Sequence, residues 1–353
     1  MSSAYGKYLV KRAIFLGLTL LVATYVTIVI ANMGGYIDLI IRRQIEFQVS
    51  QQLAQDPHFH ELSKEEQEAY RQKLIEGAIK AAGLDKPFWE RSLIYLQKAL
   101  TLDLGRAMFL RSAAGSSRVR DIILERLPWS VLLFTTGTVI DAALGILIGL
   151  HMGRKALSKF DRGMSIFAIV TTSIPSWFFG VLALLIFAYR LGWFPTGGLV
   201  TKFYGVPWNK LVIDLLYHLA LPLACWVFSG IGSWAYTTRN IVIYTLQEDF
   251  VVAARAKGVP ENLILRRYVL RPSLPPIVTM IALALIASWT GAIITETVFQ
   301  WPGLGLLYWQ AIVTMDAPVI IGLTVIYAYL LVITVFILDI IYGFLDPRIK
   351  VGG

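Results

Sequence analysis

Few residues in this sequence are of types that do chemistry, and most of those lie in or beside long apolar runs. Asp141 is a carboxylate inside one such run, and Glu296 stands at the end of another. A charge at mid-membrane depth costs about 2.5–3.5 kcal/mol on insertion scales, so Asp141 is expected to face a cavity or a partner, or to be protonated. For Asp141 a pathway role and a buried structural contact are both open. For Glu296, beside Trp301-Pro302-Gly303, the alternatives are an outer gate, a protein contact and an interfacial anchor. His58 and His60 lie two apart near Glu61, but two imidazoles without a distant third ligand make a weak metal signal. Cys225 is the single cysteine, which excludes an internal disulfide. There is no defensible nucleophile–base pair and no Gly-x4-Gly-Lys-Ser/Thr phosphate loop. Neither catalysis nor nucleotide binding is therefore expected of this chain, and no cofactor or metal.

The elements that hold these residues follow from composition. Of 353 residues, 56% are hydrophobic and only 16% charged, whereas soluble domains carry about 25% charged residues. A transmembrane helix needs about 20 apolar residues, and six stretches qualify: Ala13–Ala31, Trp129–Leu150, Met164–Tyr189, Leu215–Thr238, Ser273–Thr295 and Ala317–Leu338. The first follows Lys7, Lys11 and Arg12, as a signal peptide would. Its apolar core is too long for one, and Ala31-Asn32-Met33 is a poor cleavage site, so an uncleaved span is expected. Pro175 and Pro222 should kink spans three and four. Gly145 and Gly149 give span two a small-residue face for close packing, and Trp129, Trp193 and Trp301 are expected as interfacial anchors. His218 is expected to satisfy a local hydrogen bond.

Net charge is +9, and its placement gives an orientation. Basic residues gather at Lys7, Lys11 and Arg12; at Arg154, Lys155, Lys159 and Arg162; at Arg239, Arg255, Lys257, Arg266, Arg267 and Arg271; and at Arg348 and Lys350. On the other side, the loop after span three carries only Arg190, Lys202 and Lys210 and the loop after span five none, while the other 14 basic residues lie in the long segment 32–128, where the rule has little force. The positive-inside rule then puts both termini in the cytoplasm, and nucleic acid is not needed to explain the charge. Between spans one and two lies a soluble-looking piece. Ser63-Lys64-Glu65-Glu66 reads as a capping box that opens a helix, Gly83 stops it, and Pro87 suits the first turn of another. The expected fold is an all-α integral membrane protein of six spans with a helical extracytoplasmic insertion. Its parts are residues 1–32, the segment 33–128, a five-helix core 129–345 that includes the loop 239–272, and a cytoplasmic tail 346–353.

The loop after span four reads Thr245-Leu-Gln-Glu-Asp-Phe-Val-Val-Ala-Ala-Arg-Ala-Lys-Gly258, followed by Val259-Pro260-Glu261. Thr245 and Glu248 could form a capping box, Gly258 should end a short helix and Pro260 should begin a second. Phe250, Ala253 and Ala254 would give the first helix an apolar face flanked by Arg255 and Lys257. Such a helix is too short to stand alone. A groove on another protein and anionic lipid are equally good supports on physical grounds.

Asp249 to Gly258 resembles the EAA loop of ABC-importer permeases of the dipeptide, oligopeptide and nickel subgroup. Leu102-Asp103-Leu104-Gly105 and Glu125-Arg126-Leu127-Pro128 resemble that subgroup's signature before span two. Glu296-Thr-Val-Phe-Gln-Trp-Pro-Gly-Leu-Gly305 resembles its segment after span five, and Leu345-Asp346-Pro347-Arg348 its ending. Two features depart from the pattern: Val252 stands where the motif's name places Glu, and residues 40–83 are longer than expected for the family. The resemblance implies a permease subunit of a prokaryotic cell membrane. Asp249, Phe250, Ala253, Ala254, Arg255, Ala256, Lys257 and Gly258 would form the coupling helix, and a charge at Ala254 or replacement of Gly258 would uncouple it. It further implies one or two cytoplasmic ATPases that hold ATP and Mg²⁺, a second, different permease chain, surrounding lipid, and an extracytoplasmic substrate-binding protein. Peptides come first as substrate, ahead of nickel and oligosaccharides. An ion-coupled secondary transporter would instead show two related halves and coupling carboxylates, and a channel a filter sequence.

Overall fold

Long apolar runs have no way to satisfy their backbone in lipid except as helices, and helices are what they form. The protein is described as a computed structural model over residues 3–32, 35–202 and 205–345; the expected tail 346–353, with Arg348 and Lys350, lies outside the described residues. Among the described residues there is no strand, only an isolated bridge between Arg106 and Arg118. Five helices carry windows long and apolar enough to cross a membrane: α1 (Ser3–Asn32), α5 (Val119–Arg154), α8 (Trp208–Leu246), α10 (Glu261–Thr290) and α13 (Ala317–Leu345). Span three differs from the reading as one helix. It is a pair, α6 (Lys159–Ser173) and α7 (Ser176–Arg190), bent by 92°. Pro175 is the cause: it forces Ile174 into extended backbone (φ −109°, ψ 125°), which ends the first helix. By length and composition the described residues thus offer five candidate spans, or six if the bent pair counts as one. Pro222 leaves α8 as a single helix of 39 residues. At about 1.5 Å per residue that length exceeds a hydrocarbon core of about 30 Å.

The chain divides into two compact units. The first comprises Met1–Leu9, Arg126–Trp309 and Thr334–Gly353. Its backbone is α5 against α8, joined through a row of positions four apart on α5. Gly137 meets Trp226, Gly145 meets Ile231 and Trp234, Gly149 meets Ala235 and Thr238, and Gly153 meets Val242. Asp141 occupies the remaining position of that row and meets Gly230. A Cβ on Gly149 would lie 2.6 Å from the Thr238 Cβ and 3.0 Å from the Arg239 nitrogen. Gly149→Leu should therefore force the pair apart and cost about 1–3 kcal/mol or more. Thermal melting in detergent checks this, with Gly163→Ala as control, since nothing lies within 4 Å of a Cβ there; equal melting of the two variants would contradict the packing. A second joint was not foreseen. Asp161, buried in the first turn of α6, accepts from Leu157 N–H at 2.8 Å and from both Nε and Nη2 of Arg239 on α8, the latter at 2.8 Å.

The second unit comprises Val10–Glu125 and Gln310–Ile333. α2 (Tyr36–Ala54) packs Ile45, Val49 and Leu53 against Tyr70, Leu74 and Ala78 of α3 (Lys64–Ala81). The capping box at Ser63 is formed, with Glu66 Oε2 accepting from Ser63 N–H at 3.0 Å, and Gly83 ends α3 at φ 73°. Pro87 stands just before α4 (Phe88–Leu100) rather than within its first turn. α4 buries Leu96 and Ala99 against Ile28 of α1 and Val325 of α13. Asp316, fully buried ahead of α13, accepts from the N–H groups of Met108, Phe109 and Leu110 at 2.8–3.1 Å. His58 N–H donates to Asp56 Oδ1 at 3.0 Å, and the His60 ring lies edge-on to Phe59.

Candidate functional site

The loop after span four begins later than the charge pattern suggested. α8 continues through Arg239 to Leu246, and Thr245 Oγ1 donates to Ile241 C=O at 2.9 Å inside that helix. Thr245 is therefore not a cap. Glu248 takes the N-cap position of α9 (Asp249–Ala256), without a side-chain hydrogen bond. Gly258 then turns the chain at φ 75°, and Pro260 precedes the start of α10. Arg255 and Glu261 pair across this turn at 2.9 Å, both largely exposed. An exposed pair of that kind contributes little beyond holding the turn's shape.

A helix of eight residues does not persist alone in water. α9 is held by Val251 and Ala254, buried against Val242 of α8 and Ile264 and Val269 of α10. Ala254 therefore lies on the inner face, and the apolar face expected from Phe250, Ala253 and Ala254 is split. Phe250 (43% exposed) and Val252 (55%) turn outward, as do Asp249, Ala253, Arg255, Ala256, Lys257 and Gly258. The result is a rigidly seated helix with an aromatic, small-residue outer surface and a cation at its end.

The carboxylates are placed differently from one another. Asp141 is buried against Gly230, and its Oδ1 has no hydrogen-bond partner. Glu296 lies beyond a break, because α10 closes in a tight turn at Ser288–Thr290, Gly291 reverses the chain at φ 73°, and a separate helix α11 (Ile293–Val298) follows. There Glu296 is fully buried and accepts from Ser130 Oγ at 2.7 Å and from Leu306 N–H at 2.9 Å. Ser130 Oγ in turn accepts from Leu304 N–H at 2.7 Å, which closes a network between α5 and α12 (Leu304–Val313). Space around the carboxylate exists only because its neighbours are glycines: a Cβ on Gly303 would lie 2.5 Å from Glu296 Oε2, and one on Gly291 would lie 2.7 Å from Oε1. Trp301 is not at an interface. It is fully buried in a core with Phe134, Leu219 and Phe299, and its Nε1 donates to Trp129 C=O at 2.9 Å. Trp193, by contrast, is 59% exposed. His218 Nδ1 lies 2.9 Å from Asp214 C=O, a local contact.

The run from Glu296 to Gly305 thus packs inward, its carboxylate dependent on Gly291 and Gly303 for space and its tryptophan anchored separately on Trp129. The family described as binding-protein-dependent transport system inner membrane component matches residues 145–351. The chain belongs to that family. Its similarity extends further toward the N-terminus in individual relatives. The oligopeptide transport system permease protein AppB of Bacillus subtilis (strain 168) is 32% identical over 272 residues, covering 77% of this chain and 84% of the relative. The inner membrane ABC transporter permease protein YejB of Escherichia coli O157:H7 is 33% identical over 275 residues, covering 77% and 74%. A solved structure of the MetNI methionine ABC transporter, inward facing, aligns with 65% of this chain and 94% of its own at 19% identity and a TM-score of 0.44. The protein is therefore a permease subunit of an ABC importer, a multi-pass protein of the bacterial inner membrane.

Three groups in this permease escaped the sequence reading. Ser130 lies inside the apolar run Trp129–Leu150, and nothing nearby in sequence marks it as the partner of Glu296. Asp161 and Arg239 are 78 apart, and Arg239 read as one cation of a basic loop. Asp316 stands ahead of an apolar run, where a carboxylate before a helix was the available signal.

Proposed function

We propose that this permease carries di- or oligopeptides and is driven through α9, which docks on a cytoplasmic ATPase subunit. The observation that carries the coupling role is the division of α9 into a seated face, Val251 and Ala254, and an outward face, Phe250, Ala253, Ala256 and Lys257. A helix fixed to the ends of two spans transmits displacement in either direction, so closure of ATPases bound to it would drive rigid-body alternation of the bundle. Peptide as cargo is supported by relatives named as oligopeptide and peptide permeases; nickel and oligosaccharides are the alternatives. ATP and Mg²⁺ would bind the partner ATPases, one or two in number, and this chain would not be an enzyme. A second, different permease chain and an extracytoplasmic binding protein complete the proposed assembly, in contact with lipid and not with nucleic acid.

A six-span topology with both termini cytoplasmic draws support from the helix ends. Tyr5 OH donates to Ile340 C=O at 3.0 Å, and Tyr8 OH to Asp339 Oδ1 at 3.4 Å. The start of α1 thus lies beside the end of α13, which an even number of crossings provides, so the bent α6–α7 pair is counted as a span. The segment 33–128 then falls outside the cytoplasm.

For the path, Asp141 is the proposed polar residue, while Glu296 and Trp301 shape the segment after span five. An unpaired buried carboxylate is costly, so Asp141→Asn should insert and melt at least as well as the native chain. Reduced uptake in that stable variant would support the pathway role; unchanged uptake would remove it. The whole reading is tested by reconstituting the permease with its partner permease, ATPases and binding protein in proteoliposomes. ATP-dependent uptake of labelled oligopeptides is expected. Uptake of nickel or an oligosaccharide alone would overturn the cargo, and peptide uptake that ignores ATP but collapses with an ionophore would overturn the coupling.

A further inference from the structure

Within the unit formed by Val10–Glu125 and Gln310–Ile333 there is a cavity of about 270 Å³ that the transport reading does not use. One wall is apolar and built from Ile28 of α1, Ala99 of α4, and Ile321 and Val325 of α13. The apolar windows of these two long helices run over Tyr5–Ile30 and Ala317–Ile340. Ile28 is close to the end of the first, and Ile321 and Val325 are close to the start of the second. The wall therefore lies where both spans leave the hydrocarbon, at headgroup depth.

The rim is polar and carries Lys98, Asp103, Arg106 and Gln44. Lys98 and Arg106 are exposed, and neither forms an ion pair with a described residue. Arg91, about two helical turns before Lys98, is a useful contrast, since it is held by Asp38 at 2.8 Å. Tyr95 OH reaches the same Asp38 at 3.4 Å, and burial beside that carboxylate pushes the Tyr95 phenol up to about 12, so it stays a neutral wall of the cavity. α4 itself has the habit of an interfacial helix. It buries one face against the two spans and exposes Phe88, Trp89 (61%) and Leu93 on another.

We propose that this cavity holds an anionic phospholipid of the phosphatidylglycerol type. Its phosphate would sit between Lys98 and Arg106, its acyl chain would begin along Ile28, Ile321 and Val325, and its headgroup hydroxyls would donate to Asp103. The volume fits that division. Pockets that enclose a drug-sized ligand span about 300–1,000 Å³, so this one takes the glycerol-phosphate end while the tails continue outside along the spans. The rim's two cations and one carboxylate leave one positive charge for one phosphodiester.

The test uses the full-length chain with its co-purifying subunits in nanodiscs of equal phosphatidylglycerol, phosphatidylethanolamine and phosphatidylcholine. Lipids retained after exchange into detergent are identified by mass spectrometry. Phosphatidylglycerol should be enriched over both others. Lys98→Gln with Arg106→Gln should lower that enrichment by roughly thirtyfold, the effect of two surface cations on an anionic lipid, with no change in melting. Ile321→Trp, which fills the apolar wall, should lower it as well, and Lys64→Gln with Lys73→Gln on α3 should not. Enrichment that survives the double variant, or equal retention of phosphatidylethanolamine, would overturn the assignment.

Discussion

Replacing Glu296 with alanine is expected to lower the melting midpoint by roughly 10 °C and to abolish uptake through loss of structure. The carboxylate is fully buried, and Ser130 Oγ at 2.7 Å and Leu306 N–H at 2.9 Å donate to it. Without it, the Leu306 N–H is left unsatisfied in the interior, which costs about 1–3 kcal/mol. The space between Gly291 and Gly303 also becomes a cavity, and large-to-small changes in a packed interior cost about 2–5 kcal/mol. The two effects act at one site and overlap, so a total near 4 kcal/mol is the reasonable expectation. Glu296→Gln keeps the shape and one acceptor oxygen. It cannot accept from both donors as the carboxylate does, so a smaller loss is expected. The companion change is Gly303→Ala, whose added methyl group would fall on the carboxylate; it should destabilise with Glu296 present and be tolerated better in the Glu296→Ala background. A double-mutant cycle on melting measures this coupling. Native melting of Glu296→Ala together with lost uptake would contradict the structural role and return the residue to the transport path.

The network around Glu296 shows why the fold was easier to read than the site. Apolar length is a local property, and each long span announced itself in its own residues. The Ser63 box and the Gly83 stop were local too, and both are present. The partners of Glu296, by contrast, are set by packing between helices 166 and 10 positions away in sequence, and no spacing rule reaches across such distances. The same holds for Asp161 with Arg239 and for Asp316 with the amides at 108–110. Where local rules misled, a competing local effect won. Thr245 looked like a cap because Glu248 follows at the right interval, but α8 had enough favourable residues to run past it to Leu246. Trp301 looked like a membrane anchor because it ends an apolar run, yet the Gly291 reversal folds its segment back into the core. In α9 the sequence merges two faces, since Ala253 and Ala254 are equally small and only the seat on Val242, Ile264 and Val269 separates them.

That separation leads to the second large effect. Phe250→Asp is expected to abolish ATP-driven uptake with melting unchanged, whereas Ala254→Asp should abolish it by unseating α9. Phe250 projects outward, and a single aromatic anchor at the centre of an interface contributes about 2–4 kcal/mol when removed. Docking of the ATPase would weaken by about 30- to 1,000-fold, so the purified complex should lose its ATPase subunits or fail to stimulate hydrolysis when loaded binding protein is added. Ala254 is 4% exposed among apolar neighbours. A carboxylate there must either be buried unpaired or drag the helix off its seat, and α9 has no independent stability to resist the second course. Amide hydrogen exchange distinguishes the two variants: protection across 249–256 should persist in Phe250→Asp and vanish in Ala254→Asp. Normal uptake by Phe250→Asp would remove the outward face of α9 from the coupling mechanism. Normal exchange protection in Ala254→Asp would show that the seat on Val242, Ile264 and Val269 does not hold the helix.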